Sequence, residues 1–364
     1  MFKGIFNGKS VVVTGHTGFK GSWLAAWLIE LGARVTGISD AVPTSPSHFE
    51  CAGLGAHLTD VRLDIRDRKA LRGAIHRARP DFVFHLAAQP LVRRSYREPI
   101  DTLAVNVMGT AHLLDALRTV DWPCVAVMIT SDKCYDNVEW VWGYRETDRL
   151  GGKDPYSASK GAAELVIRTY ACSYFQEPDG PVRLAVGRAG NVIGGGDWAE
   201  DRIVPDSVRA WAENRSVEIR NPHATRPWQH VLEPLSGYLT LGAQLAVRPE
   251  MHGEPFNFGP SPDQNFSVQA LLAAMVKHWP GAGHTVVMQP GGSPEAGLLK
   301  LDCDKALSLL GWRATLDFPR TVVMTTEWYR RYYEHPGASM LDVTRGQIAD
   351  YVALAREGGA AWAR

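Results

Sequence analysis

Residues 10–24, SVVVTGHTGFKGSWL, decide the fold of this chain. The β-branched run 11–13 predicts a short strand, and the apolar spacing over 19–31 predicts a helix. A GxxGxxG loop at 15–21 joins the two. Glycine at these positions lets the backbone approach a pyrophosphate, whose charge then sits at the helix N-terminus. The stretch therefore predicts a dinucleotide-binding strand–loop–helix unit.

Strand and helix patterns continue to alternate over the first half of the chain. This alternation predicts an α/β fold of the Rossmann type, with a doubly wound parallel sheet. The apolar run 124–129 suits a strand that is covered on both faces. Further strands are expected at 34–38, 61–63, 81–86 and 182–186, and helices at 69–78, 99–118 and 156–174.

The regular alternation fades after Gly190, where glycine and polar residues become frequent. Residues 1–190 are expected to form the dinucleotide-binding domain, with later segments at about 230–260 returning to it. Residues 191–345 are expected to form mainly a smaller, irregular C-terminal cap that binds the substrate, with helices at 232–245, 268–278 and 319–334. Residues 346–364 are predicted to be a C-terminal tail that frays after Gly358.

The composition excludes several classes of function. The 39 lysines and arginines balance 39 aspartates and glutamates, so no global field would hold nucleic acid or an anionic membrane. No run of about 18 apolar residues could span a membrane, and residues 1–9 do not resemble a signal peptide. The five cysteines are scattered and the 12 histidines show no HxxxH spacing, which predicts no metal site and a reducing, cytoplasmic location.

The end of the second strand bears on which dinucleotide is bound. An acid there usually holds the ribose hydroxyls of NAD. Asp40 is the candidate, although the register also allows Ser39, which would hold the ribose less well, and Asp40 could equally be a solvated turn residue. No arginine stands beside it, which favours NAD over NADP. Asp64, after the third strand, could meet the adenine amine or could be a plain loop acid.

Tyr156 and Lys160 stand at i and i+4, on one face of a predicted helix. A phenol titrates at a pKa of about 10, and a neighbouring ammonium favours the phenolate. We therefore expect Lys160 to lower the pKa of Tyr156. The phenol would then act as a general base on a substrate hydroxyl, while hydride leaves the same carbon for a nicotinamide.

Residues 130–133, Thr-Ser-Asp-Lys, follow the strand predicted at 124–129. Open α/β sheets bind ligands at the carboxyl ends of their strands. Ser131 could bond the same hydroxyl as Tyr156. Asp132 and Lys133 add an acid and a base that simple dehydrogenation does not need, which predicts a further proton transfer or loss of water. The alternative is a solvated loop with an incidental ion pair.

Over residues 8–340, roughly, the chain resembles the extended short-chain dehydrogenase/reductase family. The family features are the loop 15–21, Asp64-Ile65, the HLAAQ stretch 85–89, Asn106, Ser131, and Tyr156 with Lys160. Longer stretches at 15–23, 130–135, 187–198, 226–231 and 299–302 are similar to its nucleotide-sugar 4,6-dehydratases. The resemblance implies NAD-dependent dehydration of CDP-glucose to CDP-4-dehydro-6-deoxyglucose in deoxysugar biosynthesis.

The resemblance also implies a role for each catalytic residue. Tyr156 would be the base for C4 oxidation, with Ser131 orienting the C4 hydroxyl and Lys160 holding the nicotinamide ribose. Asp132 would protonate the departing C6 hydroxyl. Lys133 stands where related dTDP-sugar dehydratases carry glutamate, the base at C5, and lysine there is the variant of the CDP-sugar branch.

Binding residues are implied in the same way. Pro294 stands where the family tends to have histidine, which leaves the substrate contacts at that edge of the pocket open. The helices at 99–118 and 156–174 would pair with a second copy in a homodimer, which could assemble further into a tetramer. The implied cofactor residues are Gly15, Thr17, Gly18, Phe19, Gly21, Asp40, Asp64, Ile65, Leu86, Ala87, Ala88, Asn106, Tyr156 and Lys160, and the implied substrate residues are Gln89, Arg188, Asn191, Arg226 and His230.

Two rival functions remain open from the sequence. A nucleotide-sugar 4-epimerase on the same scaffold would need no acid–base pair at Asp132 and Lys133. A non-catalytic NAD(P)-sensing protein would need no intact Tyr156, Lys160 and Ser131.

Overall fold

The computed structural model describes residues 1–177, 180–219, 221–286 and 298–364. Its strands are β1 (Ser10–Thr14), β2 (Arg34–Ser39), β3 (Thr59–Arg62), β4 (Phe82–His85), β5 (Cys124–Ile129), β6 (Val182–Arg188), β7 (Val192–Ile193), β8 (Val217–Ile219), β9 (Thr225–Arg226), β10 (Gln229–His230), β11 (Pro255–Asn257), β12 (Phe266–Ser267) and β13 (His284–Val286). Its α-helices are α1 (Phe19–Glu30), α2 (His48–Cys51), α3 (Arg68–Ala78), α4 (Val92–Arg97), α5 (Pro99–Leu103), α6 (Thr110–Leu117), α7 (Pro155–Tyr174), α8 (Ile203–Ala212), α9 (Leu232–Val247), α10 (Val268–Val276), α11 (Asp304–Leu310), α12 (Phe318–Glu334) and α13 (Met340–Glu357).

Seven parallel strands form the central sheet, in the order β11-β6-β5-β4-β1-β2-β3. Both faces are covered: Val11 and Val13 of β1 pack into one apolar cluster, and Val12 packs into another on the opposite face. The predicted doubly wound Rossmann-type fold is confirmed. Because the strands are parallel, the carboxyl ends of β1, β4, β5 and β6 meet at one edge, where such sheets bind ligands.

The helix predicted over 99–118 is interrupted. Between α5 and α6, residues 104–109 form a π-helical turn that contains Asn106. A π turn inserts an extra residue into a helix and often marks a functional site. Here it turns the buried Asn106 side chain toward the loop after β4, where it bonds Gln89.

The prediction of a C-terminal tail over 346–364 that frays after Gly358 is wrong. Helix α13 runs through most of it, and beyond Gly358 the chain turns back so that Trp362 is 6% exposed. Trp362 stacks on Phe2 with ring centroids 5.2 Å apart and on Tyr351 at 5.7 Å. The last residues are therefore held by aromatic contacts with the first residues of the chain.

Beyond residue 190 the chain adds short strand pairs, β7 with β10, β8 with β13 and β9 with β12. Strand β11 and helix α9 return to the central sheet, where α9 packs on β5 and β6. Helix α8 lies in a segment for which the sequence predicts no helix. The domain division stays a prediction. Within the described ranges, no helix is long and apolar enough to cross a membrane.

Candidate active site

A tight glycine loop joins β1 to α1. Gly15 has a φ of +76°, and a Cβ there would lie 2.7 Å from the Ala87 backbone nitrogen. A Cβ at Gly21 would lie 2.0 Å from the Gly15 carbonyl oxygen. Gly18 precedes α1 and gives its N-terminus no side-chain cap. The backbone N–H groups of the first turn thus remain available to an anion, and a dinucleotide pyrophosphate fits this cradle.

Ser39, rather than Asp40, faces the glycine loop. Ser39 ends β2 and is buried, with its Oγ 3.1 Å from His16 Nδ1 and 3.5 Å from the Thr17 backbone nitrogen. Asp40 is exposed and its carboxylate accepts a hydrogen bond from the next backbone N–H. Of the two candidates Ser39 is thus the one that lies at the glycine loop, and which of them meets the ribose stays a prediction. Asp64 forms an ion pair and hydrogen bonds with Arg66, which lower the pKa of the Asp64 carboxyl.

Asp132 is held by hydrogen bonds from two side chains at the carboxyl end of β5. The Ser131 hydroxyl donates to Oδ1 at 2.8 Å, and Asn191 donates from Nδ2 to Oδ2 at 3.1 Å. A Cβ at Gly190 would lie 1.9 Å from the carboxylate, so only glycine leaves room for it. Lys133 is half-buried next to Asp132. The structure thus brings the predicted Ser-Asp-Lys group together with Asn191 of the following half.

Tyr156 lies in the first turn of α7, which Asp154 caps. Burial raises the pKa of Tyr156 to about 12, against the opposing effects of a hydrogen bond with Ser131 and of the charge of Arg202. The Lys160 nitrogen lies 5.9 Å from the Tyr156 ring centroid, and burial lowers the pKa of Lys160 to about 8. The expectation of a lowered Tyr156 pKa is wrong here, because both groups are buried and burial penalises the charged form of each.

Two further cations, which are not among the residues predicted from the sequence, belong to the site. Lys20 lies in the first turn of α1, within the GxxGxxG motif, and its pKa is lowered to about 8 by burial and by the charges of Lys160 and Arg202. Arg202 precedes α8 and forms an ion pair with Asp197 at 2.7 Å. The lysine could have been found, since a cation within a phosphate-binding loop is a chemical signal. Arg202 gives no such signal, because it stands in the irregular half.

Gln89 and Asn106 hold the loop after β4. Asn106 Oδ1 accepts from the Gln89 backbone nitrogen at 2.8 Å, and its Nδ2 donates to Ser159 Oγ at 2.8 Å. The Gln89 side chain donates to Thr102 at 2.9 Å and bonds the Leu91 backbone. Both amides are therefore used inside the protein. Through these bonds Asn106 ties the π-helical turn to α7, and Gln89 ties the loop after β4 to α5. The ligand contacts expected of both residues stay predictions.

Arg188 and His230 are both predicted to contact substrate, and the structure buries both. Arg188 donates from Nε and Nη2 to Glu164 at 2.8 Å each, and from Nη1 to the Tyr135 hydroxyl at 2.7 Å. His230 lies edge-on to the Trp23 ring at 5.9 Å, and burial lowers its pKa to about 3. Each side chain is thus used inside the protein, and its predicted contact with substrate stays a prediction.

The remaining predicted residues lie after strands of the central sheet or on β9. Residues 86–88 are half-buried just beyond β4, and Thr17 donates to a backbone carbonyl after β2 at 2.7 Å. Ile65 is buried, and Arg226 is half-buried on β9. Pro294 lies outside the described residues. Within the described part of the chain, no group of three or more His, Cys, Asp or Glu side chains is placed to hold a metal.

The known proteins to which this chain is similar in sequence include nucleotide-sugar 4,6-dehydratases. A family model described as GDP-mannose 4,6 dehydratase matches residues 12–325. The CDP-glucose 4,6-dehydratase of Salmonella typhimurium (strain LT2) is 47% identical over 354 residues, which cover 96% of this chain and 98% of that protein. A dTDP-glucose 4,6-dehydratase of Streptomyces antibioticus is 30% identical over 341 residues, covering 88% and 92%. The resemblance found from the sequence is confirmed.

Solved structures agree on the fold. A UDP-glucose 4-epimerase from Stenotrophomonas maltophila, with bound NAD and formylated UDP-arabinopyranose, has a TM-score of 0.77 at 22% identity, covering 90% of this chain and 99% of that one. A UDP-glucuronic acid 4-epimerase from Bacillus cereus, in complex with UDP-glucuronic acid and NAD, has a TM-score of 0.74 at 21% identity, covering 88% and 99%. At such identities the likeness shows the fold alone.

Proposed function

The chain belongs to the family described as GDP-mannose 4,6 dehydratase, and we propose that it removes water from CDP-glucose with NAD as cofactor. The product is CDP-4-dehydro-6-deoxyglucose, a precursor for deoxysugar biosynthesis. One observation carries this proposal: the 47% identity, over nearly the whole of both chains, to a CDP-glucose 4,6-dehydratase. The position of Asp132 beside Ser131 at the ligand-binding edge supports it.

NAD, when bound, supplies the acceptor for a hydride from the sugar and the donor that later returns it. The glycine cradle and the uncapped start of α1 would hold its pyrophosphate. Ser39 would meet the ribose where an acid usually stands. The strand register also aligns Arg62 with Ser39. Because Arg62 donates to Asp60 through two nitrogens, its charge is already balanced, which favours NAD over a 2′-phosphorylated dinucleotide.

Tyr156 takes the proton of the C4 hydroxyl as that carbon is oxidised. The phenol has a pKa of about 12 in its buried position, so its phenolate depends on nearby stabilising groups. The Ser131 hydroxyl is one of them. The charge of Arg202 is a second, and Lys160 would be a third, since its pKa of about 8 leaves it charged at neutral pH.

Elimination of water uses the groups next to Ser131. A ketone at C4 acidifies the C5 proton, which Lys133 would take as the neutral amine. Asp132 would give its proton, as the protonated carboxyl, to the C6 hydroxyl as water leaves. The hydrogen bonds from Ser131 and Asn191 hold the Asp132 carboxyl in one orientation, so the proton donor stays next to the site of oxidation.

Turnover of CDP-, UDP-, dTDP- and GDP-glucose with added NAD tests the proposal. We expect rapid loss of CDP-glucose with a 4-keto absorbance in base, and at least about tenfold slower reaction of the other three. Formation of the 4-epimer without a keto product would overturn the dehydratase assignment in favour of epimerisation. Binding of NAD with no turnover of any sugar would favour the sensing protein.

We also propose a cytoplasmic homodimer. Helices α5 and α7 pack together, and Ile100 of α5, Met108 of the π-helical turn and Leu165 of α7 are exposed by 76%, 51% and 55%. The same face of a second copy would cover these side chains. Light scattering should give twice the mass of the chain, and Leu165→Glu should reduce it to the mass of one copy.

The cytoplasmic location is proposed from the cysteines. None of the five forms a disulfide, which suits a reducing compartment.

A further inference from the structure

A buried carboxylate joins the helix and the strand that carry the catalytic groups. Glu164 stands on α7 at i+4 from Lys160 and i+8 from Tyr156, on the same face of the helix. It accepts a hydrogen bond from Thr130 Oγ1 at 2.5 Å. Thr130 directly precedes Ser131, and both Glu164 and Thr130 are buried.

Arg188 fixes the same carboxylate from a third element, β6. Its Nε and Nη2 donate to the two Glu164 oxygens at 2.8 Å, and its Nη1 donates to Tyr135. Bidentate geometry of this kind leaves a carboxylate little freedom to move. Glu164 is therefore a fixed point between α7, β5 and β6.

We propose that Glu164 is a positioning residue for the dehydration reaction: through Thr130, it sets the spacing between Ser131 and Asp132 on the strand and Tyr156 on the helix. The inference rests on the proposed function. A misplacement of a catalytic group by about 1 Å costs on the order of 10²-fold in rate. The hydrogen bond between Thr130, which follows β5, and Glu164 of α7 should therefore affect kcat. A purely stabilising ion pair with Arg188 would not need the bond to Thr130.

The charge of Glu164 provides an independent readout through Lys160. Glu164 and Cys134 raise the pKa of Lys160 against the effect of burial. Lys160 also faces Tyr156 on its own helix, Lys20 of α1 and His85 of β4. Without the carboxylate charge the pKa of Lys160 falls below about 8. The alkaline limb of the kcat profile in Glu164→Gln should therefore move to lower pH.

The decisive variants change Thr130, because removing Glu164 leaves a buried, unpaired Arg188 that could prevent folding. Thr130→Val keeps the shape and loses the bond, and Thr130→Ser keeps the hydroxyl. Thr326→Val is the matched control, since Thr326 is also buried and donates one hydrogen bond, to Val322, but lies on α12. Thermal melts, NAD titration and kcat and KM for CDP-glucose are measured for each.

We expect Thr130→Val to melt like the Thr326→Val control, to keep KM within about twofold and to lose at least about tenfold in kcat. Thr130→Ser should keep kcat within about twofold of the wild type. Equal kcat in the two Thr130 variants, or an equal loss in Thr326→Val, would overturn the positioning role. Failure of the wild type to dehydrate CDP-glucose would instead overturn the proposed function, and this is seen before any variant is made.

Discussion

Asn191 donates a hydrogen bond from Nδ2 to Asp132 Oδ2 at 3.1 Å, across 59 positions of the sequence. Asn191 has a φ of +55° in the turn after β6, and Asp132 follows β5. The bond holds the carboxylate against Gly190, where a Cβ would collide with it. The proposed acid is therefore built from two segments that sequence patterns assign to different halves of the chain.

We expect Tyr156→Phe to lower kcat by about 10²–10⁴-fold while leaving NAD affinity unchanged. The phenol is the only base proposed at C4, and the buried ring can still pack without its hydroxyl. Loss of CDP-glucose gives kcat, and quenching of protein fluorescence gives NAD affinity. A kcat within about tenfold of the wild type would exclude Tyr156 as the base.

NAD should dissociate from the purified protein on dialysis, and added NAD should restore activity. Ser39 offers one hydroxyl where a carboxylate could accept two hydrogen bonds. Calorimetry should show that Ser39→Asp binds NAD about tenfold more tightly. Asp40→Asn is the control, since its exposed carboxylate points to its own turn. Equal NAD affinity of Ser39→Asp and the wild type would contradict the idea that the missing carboxylate weakens NAD binding.

Local patterns were sufficient for the sheet, the glycine loop and the pairing of Ser131 with Tyr156. They were not sufficient for Arg188. An arginine at a strand end is typical of a ligand contact, and only the fold shows that Glu164, from a helix, neutralises it in the core. The pKa of Tyr156 is a similar case. Burial decides whether it is raised or lowered, and the YxxxK spacing gives no information on burial.

The C-terminal segment is a second case in which a tertiary contact overrides a local pattern. The pair of glycines before Trp362 predicts fraying, yet its ring stacks on Phe2 at the other end of the chain. We expect Trp362→Ala to lower the free energy of unfolding by about 3–5 kcal/mol. Deletion of Arg364, which is exposed, should have little effect. Urea unfolding measures both, and a loss below about 1 kcal/mol would mean that the tail is frayed.

Three buried histidines should make the protein sensitive to acid. Burial lowers the pKa values of His48, His85 and His230 to about 3. In the unfolded chain they bind protons below pH 6.5, so the unfolded state binds more protons and stability falls as pH falls. From pH 7 to 5 each costs about 2 kcal/mol. Burial raises the pKa of Glu233 to about 7, so at this residue the folded state binds more protons than the unfolded state. Glu233 therefore adds about 2 kcal/mol to the free energy of unfolding between pH 7 and 5.

For these four groups together the loss from pH 7 to 5 is therefore about 4 kcal/mol, and its direction is checked by urea unfolding at the two pH values. His48→Gln can keep the bonds to Ser22 and Thr344, which are 2.9 Å long, and should lose about 2 kcal/mol less than the wild type. His57→Gln, at an exposed position, should follow the wild type. Identical pH dependence in all three proteins would contradict the assignment to buried histidines.

Asp132→Asn should separate oxidation from loss of water. The amide keeps the shape and can still accept a hydrogen bond from Asn191, while the Ser131 hydroxyl can rotate to accept from the new amide group. It cannot supply a proton to the C6 hydroxyl. We therefore expect C4 oxidation to proceed and elimination to slow by about 10²–10⁴-fold. Absorbance of reduced nicotinamide should accumulate within one turnover and persist.

Asp136→Asn is the matched control, because Asp136 lies four residues further on and pairs with Arg149 away from Ser131. It should show no persistent reduced-nicotinamide absorbance. If Asp132→Asn forms the 6-deoxy product at the wild-type rate, Asp132 is an ordinary loop acid. The hydrogen bonds from Ser131 and Asn191 would then serve only to order the loop. The epimerase would become the better interpretation of the site, since it needs the Tyr156 base but no acid at C6.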